Sequence, residues 1–490
     1  MQILILEAST TSAKAMVYDA ADGTTEVVTA DYGRQTDLTT HDADAVVAAV
    51  TALGRQVSVG KAIAAVALVG AWHGLLLTDR KVRPLSPVYL WSNTEAAGLC
   101  RDLRRDRGLV DWFYQSTGCM VNATYPLFML LLLKERGLQL ADSMVLDEGS
   151  YLNWVLTGQL VQTRCLASGS GLMNIHDREF DPAVLALASL HESQFPRLVE
   201  SSECFPLSAR GAALLGLPEG TPVLPTNADG GANQVGAGAL KPGVMTFSVG
   251  TSGALRLATQ APQIPKEPST WCYLSPRSWL SGAATAGACN NLDWFRNRVA
   301  GGRMTYRELE GEPRLTDSGP TFLPFLYGER CPGWDDQRTG GFVELRPEHD
   351  ITVMYRAVQE GVLFNLFQCY QSLTALNGAP ERVKLSGGIL HSSRWTQMCA
   401  DIFGAHLETD EVPHASLLGG AVLGMELLGA IPAAECYETA ASQTISPNPD
   451  LADCYAAKYE NYLSAYHRQA DKPQSGQGTS LACDQEALCP

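Results

Sequence analysis

Ile3-Leu4-Ile5-Leu6 is an apolar run, Ser9-Thr10-Thr11-Ser12 a turn of small hydroxyl residues, and Lys14-Ala15-Met16-Val17-Tyr18-Asp19 a second strand-like run. Together they predict a β-hairpin. The design returns later in the chain: Met245-Thr246-Phe247-Ser248-Val249, then Gly250-Thr251-Ser252-Gly253, then Ala254-Leu255-Arg256-Leu257. A strand, hydroxyl turn and strand heading each half of a chain is the mark of a duplicated fold. We therefore expect two related α/β domains facing each other across a cleft. They are expected at 1–240 and 241–470, with the boundary between Gly236 and Gly243. A chain of 490 residues exceeds one ordinary core and fits two. Residues 471–490, rich in Gly, Ser and Gln, read as a disordered tail.

Working outward, Ala64 to Val69 reads as a buried strand ending at Gly70. Leu130 to Arg136, Tyr151 to Leu156 and Ala183 to Leu190 read as helices, and the second half carries longer ones at Met354 to Asn377, Arg394 to Phe403 and Ser416 to Leu428. The apolar run Leu127 to Leu133 is far shorter than the roughly 20 residues of a membrane span and predicts a core helix. Hydrophobic residues at 46% and charged residues at 18% describe a globular chain. The net charge of −16 argues against nucleic acid as a partner, because counterion release would not favour binding. The 13 cysteines contain no CxxC pair and no zinc spacing, and read as buried free thiols of a reducing compartment. The first residues open directly into a strand with no targeting signature, so a cytoplasmic location is expected. No membrane partner is expected.

Two hydroxyl turns at corresponding places can each aim backbone N–H groups and hydroxyls at phosphate oxygens, and a pair can clamp a polyphosphate. Glu7, at the end of the first strand, reads either as a Mg²⁺ carboxylate or as a cap of the turn. Asp229 follows the short strand Pro222 to Leu224 and precedes Gly230-Gly231. It reads either as a helix cap or as a carboxylate projecting into the cleft to accept a hydroxyl proton.

Read together, the segments resemble the FGGY carbohydrate kinases, over roughly residues 1–470. The residues that carry the resemblance are Gly328-Glu329-Arg330-Cys331-Pro332-Gly333-Trp334-Asp335, Arg356-Ala357-Val358-Gln359-Glu360-Gly361-Val362, Leu385-Ser386-Gly387-Gly388 with Trp395 and Asp401, and Ala415-Ser416 with Gly419-Gly420-Ala421. In the first half, Trp72-His73-Gly74 and Trp91-Ser92-Asn93-Thr94 resemble the family's sugar-contact segments. Thr117-Gly118-Cys119, Tyr125-Pro126-Leu127 and Ala167-Ser168 with Gly171-Leu172 resemble gluconokinase-type members.

The resemblance implies two ribonuclease-H-like (actin-like ATPase) domains and ATP-dependent phosphorylation, with Mg²⁺, of a small sugar or sugar acid, gluconate-like or a ketose. It implies Asp229 as the base, and Thr10, Thr11, Gly250, Thr251 and Ser252 at the phosphates. Gly387, Gly388 and Ser416 are implied at the nucleotide, and Trp72, His73, Trp91 and Asn93 at the sugar. For Trp72 and His73 a purely structural role in the core stands beside that reading. The expected partners are the sugar and a second copy of the chain.

The sequence departs from the family pattern at Glu7 and Ser9, where Asp and Gly are usual. It departs again at Asn93 and Glu95, where Asp and Arg are usual, and at Met129 in place of a Lys. Glu95 would deprive an anionic substrate of a partner, which leaves a neutral sugar or polyol open. Two alternatives follow: a nucleotide- and sugar-binding homologue impaired in transfer, and an actin-like ATPase or chaperone.

Overall fold

The computed structural model describes residues 1–32, 39–311, 319–409 and 414–470. The tail expected to be disordered, 471–490, lies outside them. The first hairpin is β1 (Gln2–Ala8) and β2 (Ser12–Asp19), antiparallel, with Glu7 opposite Lys14. Strand β3 (Thr25–Asp31) extends it antiparallel. After helix α1 (Ala43–Ser58), β4 (Ile63–Gly70) returns parallel to β1, and much later β5 (Pro222–Ala228) lies parallel to β4. The sheet order is β3-β2-β1-β4-β5, with a short edge strand Phe205–Pro206 beyond β5. Helix α2 (Asp229–Gly236) follows β5 directly.

The second half repeats this plan. Strands β6 (Val244–Val249) and β7 (Gly253–Thr259) form the second hairpin. Strands β8 (Trp271–Leu274) and β9 (Trp279–Ala284) follow, with β9 antiparallel to β7. Beyond the long helix α3 (Ile351–Asn377), β10 (Arg382–Ser386) lies parallel to β6. After helix α4 (Ser393–Phe403), β11 (Leu407–Thr409) lies parallel to β10. The order β9-β7-β6-β10-β11 matches β3-β2-β1-β4-β5 strand for strand. The two hydroxyl turns are therefore equivalent places in two copies of one topology.

The apolar run of β1 is explained by cover on both faces. Leu4 and Leu6 pack with Val46 and Val50 of α1, whereas Ile3 and Ile5 pack on the opposite face. That opposite face is covered by α5 (Ala415–Leu427), a helix from the second half. A Cβ at Gly420 would come within 2.7 Å of Ile5, and one at Gly419 within 1.9 Å of the Ala232 carbonyl in α2. The glycines of this segment thus serve close helix–sheet and helix–helix packing. The expected helices form, although the one at Ala183 ends by Leu187. The Leu127 to Leu133 run lies in a helix, Pro126–Glu135, with Leu127, Phe128, Met129, Leu130 and Leu133 buried. Among the described residues no helix is long and apolar enough to cross a membrane.

Candidate active site

The first turn closes with the Ser9 N–H donating to the Ser12 carbonyl, at 3.1 Å; in the second, the Gly250 N–H donates to the Ser252 carbonyl at 3.0 Å. The carbonyls of Gly250 and Thr251 are then held by the N–H groups of Cys289 and Ala288. Thr251 is exposed and Ser252 half-buried at the tip. In the first turn the Thr10 carbonyl meets His41 Nε2 at 2.8 Å, and its hydroxyl accepts from Trp91 Nε1 at 2.9 Å. Thr11 is exposed.

Glu7 is 2% exposed beneath the first turn. Its Oε1 accepts from Ser9 Oγ at 2.6 Å and from Lys14 Nζ at 3.1 Å; its Oε2 accepts from Ser416 Oγ at 2.8 Å. A carboxylate offers about four lone-pair positions, so three donors leave roughly one. Asp229, the first residue of α2, stands within electrostatic reach of both Glu7 and Lys14. Burial, and next the charge of Glu7, push its carboxyl up to about 6; the Gly230 N–H, Arg256 and Lys14 pull the other way. A carboxyl with that affinity is a competent base near neutral pH.

On one side of this cluster, beyond the second turn, lies a cavity of about 1160 Å³ lined by Cys289, Tyr355, Gly388, Ser392 and Trp395 among others. Gly387 has φ +97°, and a Cβ there would strike the Val249 carbonyl at 2.5 Å, so only glycine brings the chain this close to β6. The volume suits a nucleoside. On the other side, Trp72 (6% exposed) donates from Nε1 to the Cys165 carbonyl at 2.8 Å and packs against Trp271 and Tyr273. Tyr125 and Tyr273 share a hydroxyl–hydroxyl bond of 2.7 Å. His73 contacts both tyrosine rings edge-on. Its Nδ1–H donates to the Gly169 carbonyl, which leaves Nε2 as an acceptor. Burial, and then the charge of Arg330, lower its pKa to about 3, so the ring is neutral.

A nucleoside-sized cavity, two phosphate-type turns and a raised carboxyl therefore follow one another along a cleft between two copies of one fold. The chain matches the model of the FGGY carbohydrate kinase N-terminal domain over residues 2–236 and that of the C-terminal domain over residues 245–427. The chain belongs to the FGGY family of carbohydrate kinases. It is 27% identical over 406 residues to a gluconokinase of Bacillus subtilis, 79% of each chain. It is 28% identical over 433 residues to an L-xylulose/3-keto-L-gulonate kinase of Escherichia coli, 82% of each chain. Its fold superposes on the gluconate kinase of Lactobacillus acidophilus with a TM-score of 0.90 at 25% identity, covering 96% of this chain and 99% of that one.

The structure adds contacts to the FGGY kinase site that the sequence did not specify. Glu7, Asp229 and Ser416 come together, but Ser416 reaches the carboxylate of Glu7, whereas the nucleoside-sized cavity is lined by Gly388 and its neighbours. Asn93 is only 3% exposed, and its amide bonds to Glu95, donating to the side chain and accepting from the N–H, with one donor and one acceptor position left over. Glu95 itself pairs with Arg136 at 2.6 Å, so its charge is compensated. Trp91 serves the first turn through Thr10. Sequence reasoning did not single out Arg256, Arg330, Tyr125, Tyr273, Lys14 or His41 as site residues. An arginine inside the apolar strand Ala254-Leu255-Arg256-Leu257-Ala258 was the available signal, because a buried strand seldom carries an unpaired charge.

Proposed function

We propose that this carbohydrate kinase transfers the γ-phosphoryl group of ATP to a hydroxyl of a small sugar or sugar acid, with Asp229 as the general base. In this reading residues 241–470 hold the nucleotide, and residues 1–240 supply much of the sugar wall. The observation that carries the proposal is the placement of Asp229: half-buried at the start of α2, within electrostatic reach of Glu7, Lys14 and Arg256, with its carboxyl raised to about 6. Phosphoryl transfer asks mainly for positioning, charge stabilisation and a proton acceptor.

Asp229 accepts the proton of the attacking hydroxyl. The Thr10, Thr251 and Ser252 turns offer donors to the charge on the transferred group. Trp72 gives the sugar an apolar face, and His73 Nε2 accepts a hydrogen bond from a sugar hydroxyl. Gly387 and Gly388 let the nucleoside approach the backbone. Among the described residues no group of three His, Cys, Asp or Glu side chains could hold a metal. The one acceptor position left on Glu7 suits a water-mediated Mg²⁺ site of the kind nucleotides bring with them. When bound there, Mg²⁺ supplies charge neutralisation at the phosphates.

The test is ADP release with Mg²⁺ over aldonates, ketoses and polyols, using the wild type and Asp229→Asn. Sugar-dependent turnover in the wild type and its collapse in the variant are expected. The engagement of Glu7 by three donors favours a second reading, a homologue that binds nucleotide and sugar without transfer. Measurable ATP binding with no sugar-dependent turnover would select it.

A further inference from the structure

Arg256 and Arg330 stand out in the cleft. Each is half-buried, and no hydrogen bond or ion pair joins either guanidinium to a described residue. The Nε atoms of both are fully buried without a partner. Other partly buried arginines are paired: Arg104 with Asp336, Arg277 with Glu426, Arg338 with Glu329, Arg356 with Glu360. In a chain with 52 acidic residues against 36 basic ones, two neighbouring guanidinium groups with no carboxylate of a described residue bonded to either are costly, even with Asp229 within electrostatic reach of Arg256, and call for an anion from outside.

The backbone brings the two together. Arg256 of β7 lies opposite Gly282 of β9. Two residues further along β9, the Ala284 carbonyl accepts from the N–H of Cys331, the residue after Arg330. A Cβ at Gly230 would stand 2.4 Å from the ring of Trp72 and 3.3 Å from Arg256 Nη2, so that guanidinium lies over the start of α2 beside the sugar-side tryptophan. Arg256 is within electrostatic reach of Asp229, Arg330 and Tyr273, and Arg330 of His73, Tyr125 and Tyr273. The pair therefore runs from the base into the aromatic wall. Arg256 is also three residues beyond the second turn, about 10 Å along a strand.

We infer that Arg256 and Arg330 form a carboxylate subsite, and that the preferred substrates are aldonic acids rather than neutral sugars or polyols. This rests on the kinase reading above and adds the substrate class to it. A planar carboxylate matches the guanidinium fork and can take two donors from each arginine. The compensation of Glu95 by Arg136 removes the repulsion that the sequence suggested for an anionic substrate. The competing source of the same chemistry is the phosphoryl group itself. The position of Arg330 among His73, Tyr125 and Tyr273 favours the sugar acid.

The experiment uses the full chain, with D-gluconate as the acid and D-glucitol and D-xylulose as neutral probes. Turnover is measured for the wild type, Arg330→Gln, Arg330→Lys and Arg256→Lys, with each fold checked by its melting midpoint. Wild type is expected to prefer gluconate by at least about 100-fold in kcat/KM over glucitol, the scale of a lost buried charge pair. Arg330→Gln should raise the KM for gluconate about 10- to 100-fold, leave the KM for ATP within about twofold, and erase the preference; Arg330→Lys should fall between. A rise in the KM for ATP as large as that for gluconate assigns the pair to the phosphates and overturns the inference. So does faster turnover of xylulose than of gluconate. Calorimetry of gluconate and glucitol on Asp229→Asn separates this inference from the kinase reading. Tighter gluconate binding that is lost in the Asp229→Asn, Arg330→Gln double variant supports the subsite even without turnover. Equal binding of acid and polyol overturns it even if transfer occurs.

Discussion

The Ser416 hydroxyl donates to Glu7 Oε2 at 2.8 Å, across 409 positions of sequence. This bond ties the start of α5, in the second half, to the end of β1, under the first phosphate-type turn. Ser416→Ala should cost about 1.5–3 kcal/mol, the worth of a hydrogen bond to a charged group, and should raise the KM for ATP more than that for the sugar. Thermal melting and steady-state kinetics on one preparation check both.

Glu7→Gln removes the charge that Lys14 pairs with while keeping the shape. If Glu7 serves Mg²⁺ through water, the Mg²⁺ concentration giving half-maximal rate at fixed ATP should rise about tenfold. An unchanged Mg²⁺ requirement, with a lower melting midpoint, would reduce Glu7 to an organiser of the turn.

Asp229→Asn should lower kcat about 10²- to 10⁴-fold and leave ATP binding within about twofold. If Asp229 is the base, kcat/KM of the wild type for the sugar should climb as pH rises through about 6, where its carboxyl ionises. The stability effect has the opposite sense. A carboxyl raised from 3.8 to about 6 binds more protons folded than unfolded, so its ionisation weakens the fold between those values. Asp229→Asn should therefore melt higher than wild type at pH 7.5, with the gain fading below pH 4.

His41 is buried with Nδ1 at 3.0 Å from Glu148 Oε1 and Nε2 at the Thr10 carbonyl. Burial opposes its charge, but Glu148 outweighs burial and holds its pKa above the ordinary value. The stabilisation is fully present below pH 6.5 and fades as pH rises through the folded value above it. His41→Ala should destabilise by about 3–5 kcal/mol, because it strands a buried carboxylate. It should also narrow the difference in melting midpoint between pH 6 and pH 9.

Gly419→Ala places a methyl group 1.9 Å from the Ala232 carbonyl, closer than any contact allows, so α5 and α2 must part. A loss of about 1–3 kcal/mol is expected, together with lower activity, since α2 begins with Asp229. Gly429→Ala, at an open position just past α5 but with φ +70°, should cost only its backbone strain and leave kcat unchanged.

Much of this was legible in the sequence because it is local. An apolar run, a hydroxyl turn and a returning strand fix a hairpin by short-range geometry, and the repeat of that pattern predicted the duplicated sheet. The FGGY motifs, Gly328-Glu329-Arg330 among them, predicted the kinase family in the same way. The partners of individual side chains were not legible. Ser416 read as a nucleotide residue; its bond to Glu7 was not legible, because the crossing of α5 over β1 decides where its hydroxyl lands. Glu95 read as an obstacle to an anion, but Arg136, just past the end of the helix Pro126–Glu135, pairs with it. Arg256 read only as part of a strand and Arg330 only as a motif letter; the pairing of β7 with β9 brings Arg256 within reach of Asp229 and Arg330 within reach of His73. Sequence alone determined the duplicated α/β fold and the class of chemistry, since both follow from patterns spanning a few residues. Tertiary structure decided which charges are compensated and which remain open to a substrate, since that depends on contacts between segments hundreds of residues apart.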